Sequence, residues 1–141
     1  MTRYLVDNNV LQRLPRSPAV QVAVGSLLDA EHELCCCALS LDELGFSARS
    51  AAEHIEASRR LRTSFLYLSL SADLDQIILD IRAALWSAGT GRAAGVIDVA
   101  LAATAVHADA TVLHYDSDFD HIAAAYPQLR AEWVVPRGSV D

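Results

Sequence analysis

Lysine is absent from the 141 residues; all 11 basic side chains are arginine. Schiff-base enzymes, P-loop nucleotide hydrolases, receiver domains and sugar kinases all depend on a lysine, so those classes are excluded. A GC-rich genome, which favours arginine codons, would account for the absence. A basic surplus is missing as well. Acidic residues outnumber basic ones by 18 to 11, for a formal charge of −7. A protein that grips nucleic acid by neutralising phosphates needs the opposite balance. Nucleic acid stays open as a substrate, because a divalent cation can bridge carboxylates to phosphate.

The C-x-x-C spacing of redox and zinc sites does not occur. The three cysteines are consecutive, Cys35, Cys36 and Cys37, and on a strand they would point alternately to opposite faces, unable to form one metal cage. They read as small buried apolar residues. Five histidines, at 32, 54, 107, 114 and 121, form no H-E-x-x-H or other ligand spacing. His114, following Leu113 on an apolar stretch, reads as a partly buried core residue. No G-x-S-x-G or Ser/His/Asp order stands out, and Gly89-Thr-Gly91 is too short to cradle a phosphate. No secretory leader and no apolar run of bilayer length is recognisable, so a cytoplasmic protein with reduced thiols and no membrane partner is expected.

What the sequence does contain is an alternation of strands and helices. Apolar character at 52% supports a sizeable core, and the length suits one domain over 1–141. Strands are predicted at Arg3–Asp7, Glu33–Ala38, Phe65–Leu70, Thr111–Tyr115 and Trp133–Val135. Between them lie a helical turn at Val10–Leu14, closed by Pro15, and a helix capped by Ser17 with Pro18 at its first position, running to about Glu31. Ser40 is expected to cap a further helix carrying Glu43 in its first turn. A charged helix over Ala51–Arg62 should turn Ile55 and Leu61 inward. Ser71 should cap a long helix through Leu85, and another helix starts near Val96. No linker, repeat or low-complexity tract interrupts the series. Such a series implies βαβ units: an α/β fold in three layers, with a mainly parallel central sheet of four to five strands flanked by helices.

Ligands of such sheets bind at the carboxyl ends of the strands. Asp7 ends the first strand and Asp116 ends the fourth, so both belong to that edge. Glu43 follows the second strand near a helix N-terminus, which lies at the same edge. Asp98 joins them only if the loop before its helix crosses back over the sheet. Taken singly, each acid also serves as a turn former, a helix cap or a solvated helix residue; the four together carry the argument. Convergent carboxylates repel and require protons or a cation. A donor set of hard oxygens, without histidine or thiolate, suits Mg²⁺, or Mn²⁺, over zinc. Magnesium keeps several waters and binds substrate phosphate, which points to phosphoryl chemistry.

These residues resemble a known family. Tyr-Leu-Val-Asp-Asn-Asn at 4–9 and Glu-Leu-Gly-Phe-Ser-Ala-Arg-Ser at 43–50 are similar to the opening and second blocks of bacterial VapC toxins, which are PIN-domain endoribonucleases. Asp-Val-Ala-Leu-Ala-Ala-Thr-Ala at 98–105 resembles the third acidic block. Val-Leu-His-Tyr-Asp-Ser-Asp-Phe-Asp-His-Ile-Ala at 112–123 is the nearest match, and Glu-Trp-Val-Val-Pro at 132–136 is similar to the usual ending. The resemblance implies a PIN-like fold and an acidic quartet of Asp7, Glu43, Asp98 and Asp116. It implies one or two Mg²⁺ ions on Asp7, Asp98 and Asp116, with Asp118 as a secondary ligand and Glu43 opposite. Asn9 takes the small polar position that steadies the first aspartate or a water at the metal. Asn8 stands where threonine is common, Asp42 adds a charge beside Glu43, and Val96-Ile97 replaces a more polar lead-in; none of these departures removes an acid.

By the same resemblance the protein would be the toxin of a type II toxin–antitoxin pair, cleaving RNA, with a VapB-like antitoxin covering the active-site groove and a homodimer as its assembly. Basic antitoxin side chains would complement the −7 charge. The alternative is a catalytically silent PIN-like module that binds RNA or protein. A haloacid-dehalogenase-like phosphatase needs an aspartate where Asn9 stands, and a flap-type nuclease needs helices that this chain is too short to add.

Overall fold

A computed structural model covers Met1–Asp141. Twelve elements follow in order: β1 (Arg3–Val6), α1 (Asn8–Arg13), α2 (Pro18–Asp29), β2 (Glu33–Cys37), α3 (Ala38–Phe46), α4 (Ala51–Ser64), β3 (Leu66–Leu68), α5 (Leu74–Ser87), α6 (Val96–His107), β4 (Thr111–His114), α7 (Asp118–Ala125) and β5 (Arg130–Trp133). The five strands form one sheet in the order β3-β2-β1-β4-β5, and every neighbouring pair is parallel. This is the expected α/β architecture, at the upper end of the expected strand number. β1 is central. From it the chain winds outward through β2 and β3, then returns to the other side of β1 for β4 and β5. The order therefore reverses between β1 and β4, and the carboxyl ends of those two strands flank the crevice where parallel sheets hold ligands.

Two apolar layers sandwich the sheet. One packs Leu5, Cys35, Cys37 and Val112 against Ile81 and Leu85 of α5, Val99, Leu101 and Ala102 of α6, and Phe119 and Ile122 of α7. The other packs Tyr4, Val6, Leu34, Cys36 and Leu113 against Val10 and Leu11 of α1, Val20 and Val24 of α2, and Leu61 of α4. The alternation of strand side chains explains the split: odd and even positions of β1 feed different layers. The cysteines obey it, Cys35 and Cys37 on one face and Cys36 on the other, all fully buried.

Ser17 caps α2 as the sequence suggests, accepting from the Val20 N–H. Several local expectations fail. Strand β2 runs into α3 without a loop: Cys37 is the N-cap, and Ser40 lies inside the helix with its hydroxyl 3.4 Å from the Cys37 nitrogen. Glu43 consequently belongs to the second turn of α3 rather than the first. Asp73, not Ser71, precedes α5; Ser71 instead accepts from the Asp73 N–H. Strand β5 pairs over Arg130–Trp133, ahead of the expected Trp133–Val135, and β3 shortens to Leu66–Leu68. Ile55 is 65% exposed because α4 lies on the periphery and buries only Leu61 deeply.

Candidate active site

Four elements deliver acids to the crevice. Asp7 directly follows β1 and serves at once as the N-cap of α1, its carboxylate accepting from the Asn9 N–H at 3.2 Å. It is only 3% exposed. Asp116 follows β4 and shapes the turn into α7: its Oδ1 accepts from the Asp118 N–H at 2.9 Å. Asp98 lies in the first turn of α6, where the aligned peptide dipoles favour a carboxylate. Glu43 projects from α3. The bland roles of Asp7 as a cap and Asp116 as an Asx turn are therefore real and coexist with their convergence, whereas Gly95 rather than Asp98 caps α6.

Asp98, Asp116 and Asp118 can each offer one oxygen such that all three lie within 4.8 Å of one another. The segment between α5 and α6 thus does bring Asp98 back to the sheet edge. Asp7 stands outside that tight group, though close enough that its charge raises the proton affinity of Asp98. Glu43 is further out and responds to Asp116. Asn9 bridges the site: its side-chain amide donates to Asp116 Oδ2 at 3.3 Å, so it ties α1 to the end of β4. The sequence assigned Asn9 to the first aspartate or to a water; its backbone serves Asp7, while its side chain reaches Asp116.

The electrostatics are those of a site lacking a counterion. Burial is the first cause that pushes the Asp7 carboxyl up to about 6, with Glu43 adding repulsion and the Asn9 amide opposing it. Asp98 rises to about 7, again through burial first, then the charges of Asp7 and Asp116. Glu43 is raised by burial and by Asp116. No cationic side chain is within hydrogen-bonding distance of any of these carboxylates. Oxygen donors alone, several of them charged and crowded, fit a hard divalent cation such as Mg²⁺.

A cavity of about 470 Å³ opens beside Glu43, lined by Ala38, Leu39, Asp42, Phe46 and Ile97. A larger one, about 540 Å³, lies between α1, α3 and α4 and contains none of the clustered acids. Chemistry rather than volume locates the site.

One neighbour went unrecognised in the sequence. His114 is fully buried, and its Nδ1 accepts from the Asp116 N–H at 3.2 Å. Burial lowers its proton affinity, opposed by the charges of Asp120 and Asp116. The readable signal was the His-x-Asp spacing, since a strand residue and the residue two positions on share a face. Asn8 is also buried, and its Oδ1 has no protein partner.

Residues 4–125 match the family described as PIN domain. The chain is 35% identical to Ribonuclease VapC51 of Mycobacterium tuberculosis over 139 residues, covering 99% of this chain and 98% of that protein. It is 33% identical to Ribonuclease VapC21 of the same species over 138 residues, covering 98% of each. Among solved structures, VapBC2 from Rickettsia felis, bound to a DNA fragment from its promoter, superposes with a TM-score of 0.76. That likeness has 18% identity over 93% of this chain and 98% of the other, and it concerns the fold.

Proposed function

The chain belongs to the PIN-domain family and within it to the VapC ribonucleases; from that premise we propose that it is a Mg²⁺-dependent endoribonuclease, the toxin half of a type II toxin–antitoxin pair. The observation that carries the reading is the convergence of Asp98, Asp116 and Asp118 within 4.8 Å, beside Asp7 and Glu43, at the crevice between β1 and β4.

In this reading Asp98, Asp116 and Asp118 would hold the cation, with Asp7 as a further ligand. When bound, Mg²⁺ supplies positive charge for the scissile phosphate and the departing 3′ oxygen, and acidifies water. The protein's own groups do the rest. Asn9 and the Asp118 N–H fix the two oxygens of Asp116, so the carboxylate presents its remaining lone pairs in one orientation. Glu43, half-buried on the far side and raised in proton affinity by burial and by Asp116, would accept a proton from the attacking water. Mn²⁺ would satisfy the same hard donors.

The partners follow from the same premise. The substrate is RNA, and a VapB-like antitoxin covers the groove with basic side chains that meet its acidic edge. Self-association into a homodimer belongs to the reading as well; Phe46, Val96 and Ile97 leave apolar surface exposed next to Glu43. The whole chain acts as one domain, in the cytoplasm. No helix is long and apolar enough to cross a membrane.

The test is cleavage of total RNA by purified protein with Mg²⁺ or Mn²⁺, then with EDTA, beside an Asp7→Asn control. Metal-dependent fragments absent from the control support the reading. A folded protein that cuts nothing with either metal, and binds neither, would overturn it.

A further inference from the structure

Asp116 stands between β4 and α7, where neither the sheet ladder nor the helix can satisfy its N–H. His114 does so instead, through Nδ1 at 3.2 Å. That nitrogen must carry a lone pair, so the proton of the neutral ring sits on Nε2. Nε2 is buried and has no protein partner. The ring is wedged between Phe119 and Trp133, each with its centroid 5.0 Å away. Trp133 is its register partner on β5, and on the other side Asp7 lies one residue beyond the Val6–Leu113 pair. The imidazole is thus packed beside the strand ends that carry Asp7 and Asp116, between two aromatic rings.

A residue that merely filled this space would be better made of carbon, because an apolar ring carries no orphaned donor. What the histidine provides that phenylalanine cannot is the acceptor at Nδ1. The Asp116 carboxylate is held at both oxygens by the Asp118 N–H and by Asn9; its backbone carbonyl accepts from the Phe119 N–H at 3.3 Å, and its backbone N–H is held by His114. We infer that His114 is a positioning residue of the acidic site: by accepting the Asp116 N–H it fixes the stem of that side chain and so the place where its carboxylate meets the cation. The inference rests on Asp116 being a ligand, as proposed above.

Two substitutions separate this role from packing. His114→Phe keeps the ring and removes the acceptor. His114→Asn is too small for the space but can accept the N–H two residues on through its side-chain oxygen, as asparagine does in an Asx turn. Mn²⁺ binding to the purified protein is measured by calorimetry beside the melting temperature in EDTA. Positioning predicts a crossed order. His114→Phe melts at or above the wild type and binds Mn²⁺ about 3- to 10-fold more weakly, the effect of one lost hydrogen bond. His114→Asn melts lower yet binds within about twofold of the wild type, well inside that one-bond margin. His114→Phe binding Mn²⁺ as the wild type does, or His114→Asn binding as poorly as His114→Phe, overturns the inference. Should either variant fail to fold, nitrogen NMR of the wild-type imidazole decides: a proton on Nε2 supports the role, and a proton on Nδ1 overturns it. A wild type that binds no Mn²⁺ overturns the nuclease reading itself and this inference with it.

Discussion

The side-chain amide of Asn9 and the carboxylate of Asp116 meet at 3.3 Å although 107 positions separate them. Through that contact the first helix of the chain sets the orientation of an acid at the end of its fourth strand. Asn9→Ala should therefore weaken Mg²⁺ binding by about 3- to 10-fold, the worth of one ordinary hydrogen bond. RNA cleavage should fall in proportion at limiting Mg²⁺ and recover at saturation. Loss that excess metal cannot repair would mean that Asn9 touches the substrate.

Asp98→Asn should reduce RNA cleavage by at least about 100-fold, since the isosteric amide cannot supply the ligand charge on which the cation depends. The same change should raise the melting temperature in EDTA, because it deletes a buried charge that Asp7 and Asp116 repel. Cleavage at the wild-type rate would dismantle the site assignment.

The metal-free protein should lose stability as pH rises. The folded-state carboxyl of Asp7 lies near 6 and that of Asp98 near 7, both above the ordinary aspartate value of 3.8. Between 3.8 and those values the folded chain binds more protons than the unfolded one, so stability falls with pH. It is greatest below about 4 as far as these groups are concerned, and the loss is complete above about 7. Melting in EDTA should drop by several degrees from pH 5 to pH 8, and Mg²⁺ should restore more of it at pH 8 than at pH 5. A flat profile in EDTA would show that the acids are relieved in some other way.

Ile81 and Ile55 should differ sharply on truncation. Ile81→Ala empties a fully buried position and should cost about 2–5 kcal/mol in denaturant unfolding. Ile55, 65% exposed, should tolerate serine within about 0.5 kcal/mol. Equal losses would place α4 inside the core after all.

That contrast marks how far the sequence could be read. Strand and helix order was legible because the apolar periods are clear, and Asp7 and Asp116 could be placed at one edge by the geometry of parallel sheets alone. Helix starts were less legible. Ser40 and Ser71 both have capping chemistry, yet Cys37 and Asp73 take the caps, because β2 continues into α3 without a turn and Ser71 spends its hydroxyl on the turn before α5. The inward turn of Ile55 failed because a period shows which side of a helix is apolar but not how much of that side a neighbour covers. The approach of Asp98 depended on the path of the loop before α6, which leaves no pattern in composition or spacing; the role of His114 depended on a ring orientation that the His-x-Asp spacing alone does not fix.

The consecutive cysteines of β2 make the protein its own reporter of opening. Burial pushes the Cys35 thiol up to about 12 and raises Cys36 as well, so neither reacts with an alkylating reagent until water reaches it. Cys35 belongs to the layer beneath α5 and α6, Cys36 to the layer beneath α1 and α2. Mass-resolved labelling of these two adjacent residues therefore distinguishes which side of the sheet loosens first. An antitoxin that tightened only one side would slow one thiol and leave its neighbour's rate unchanged.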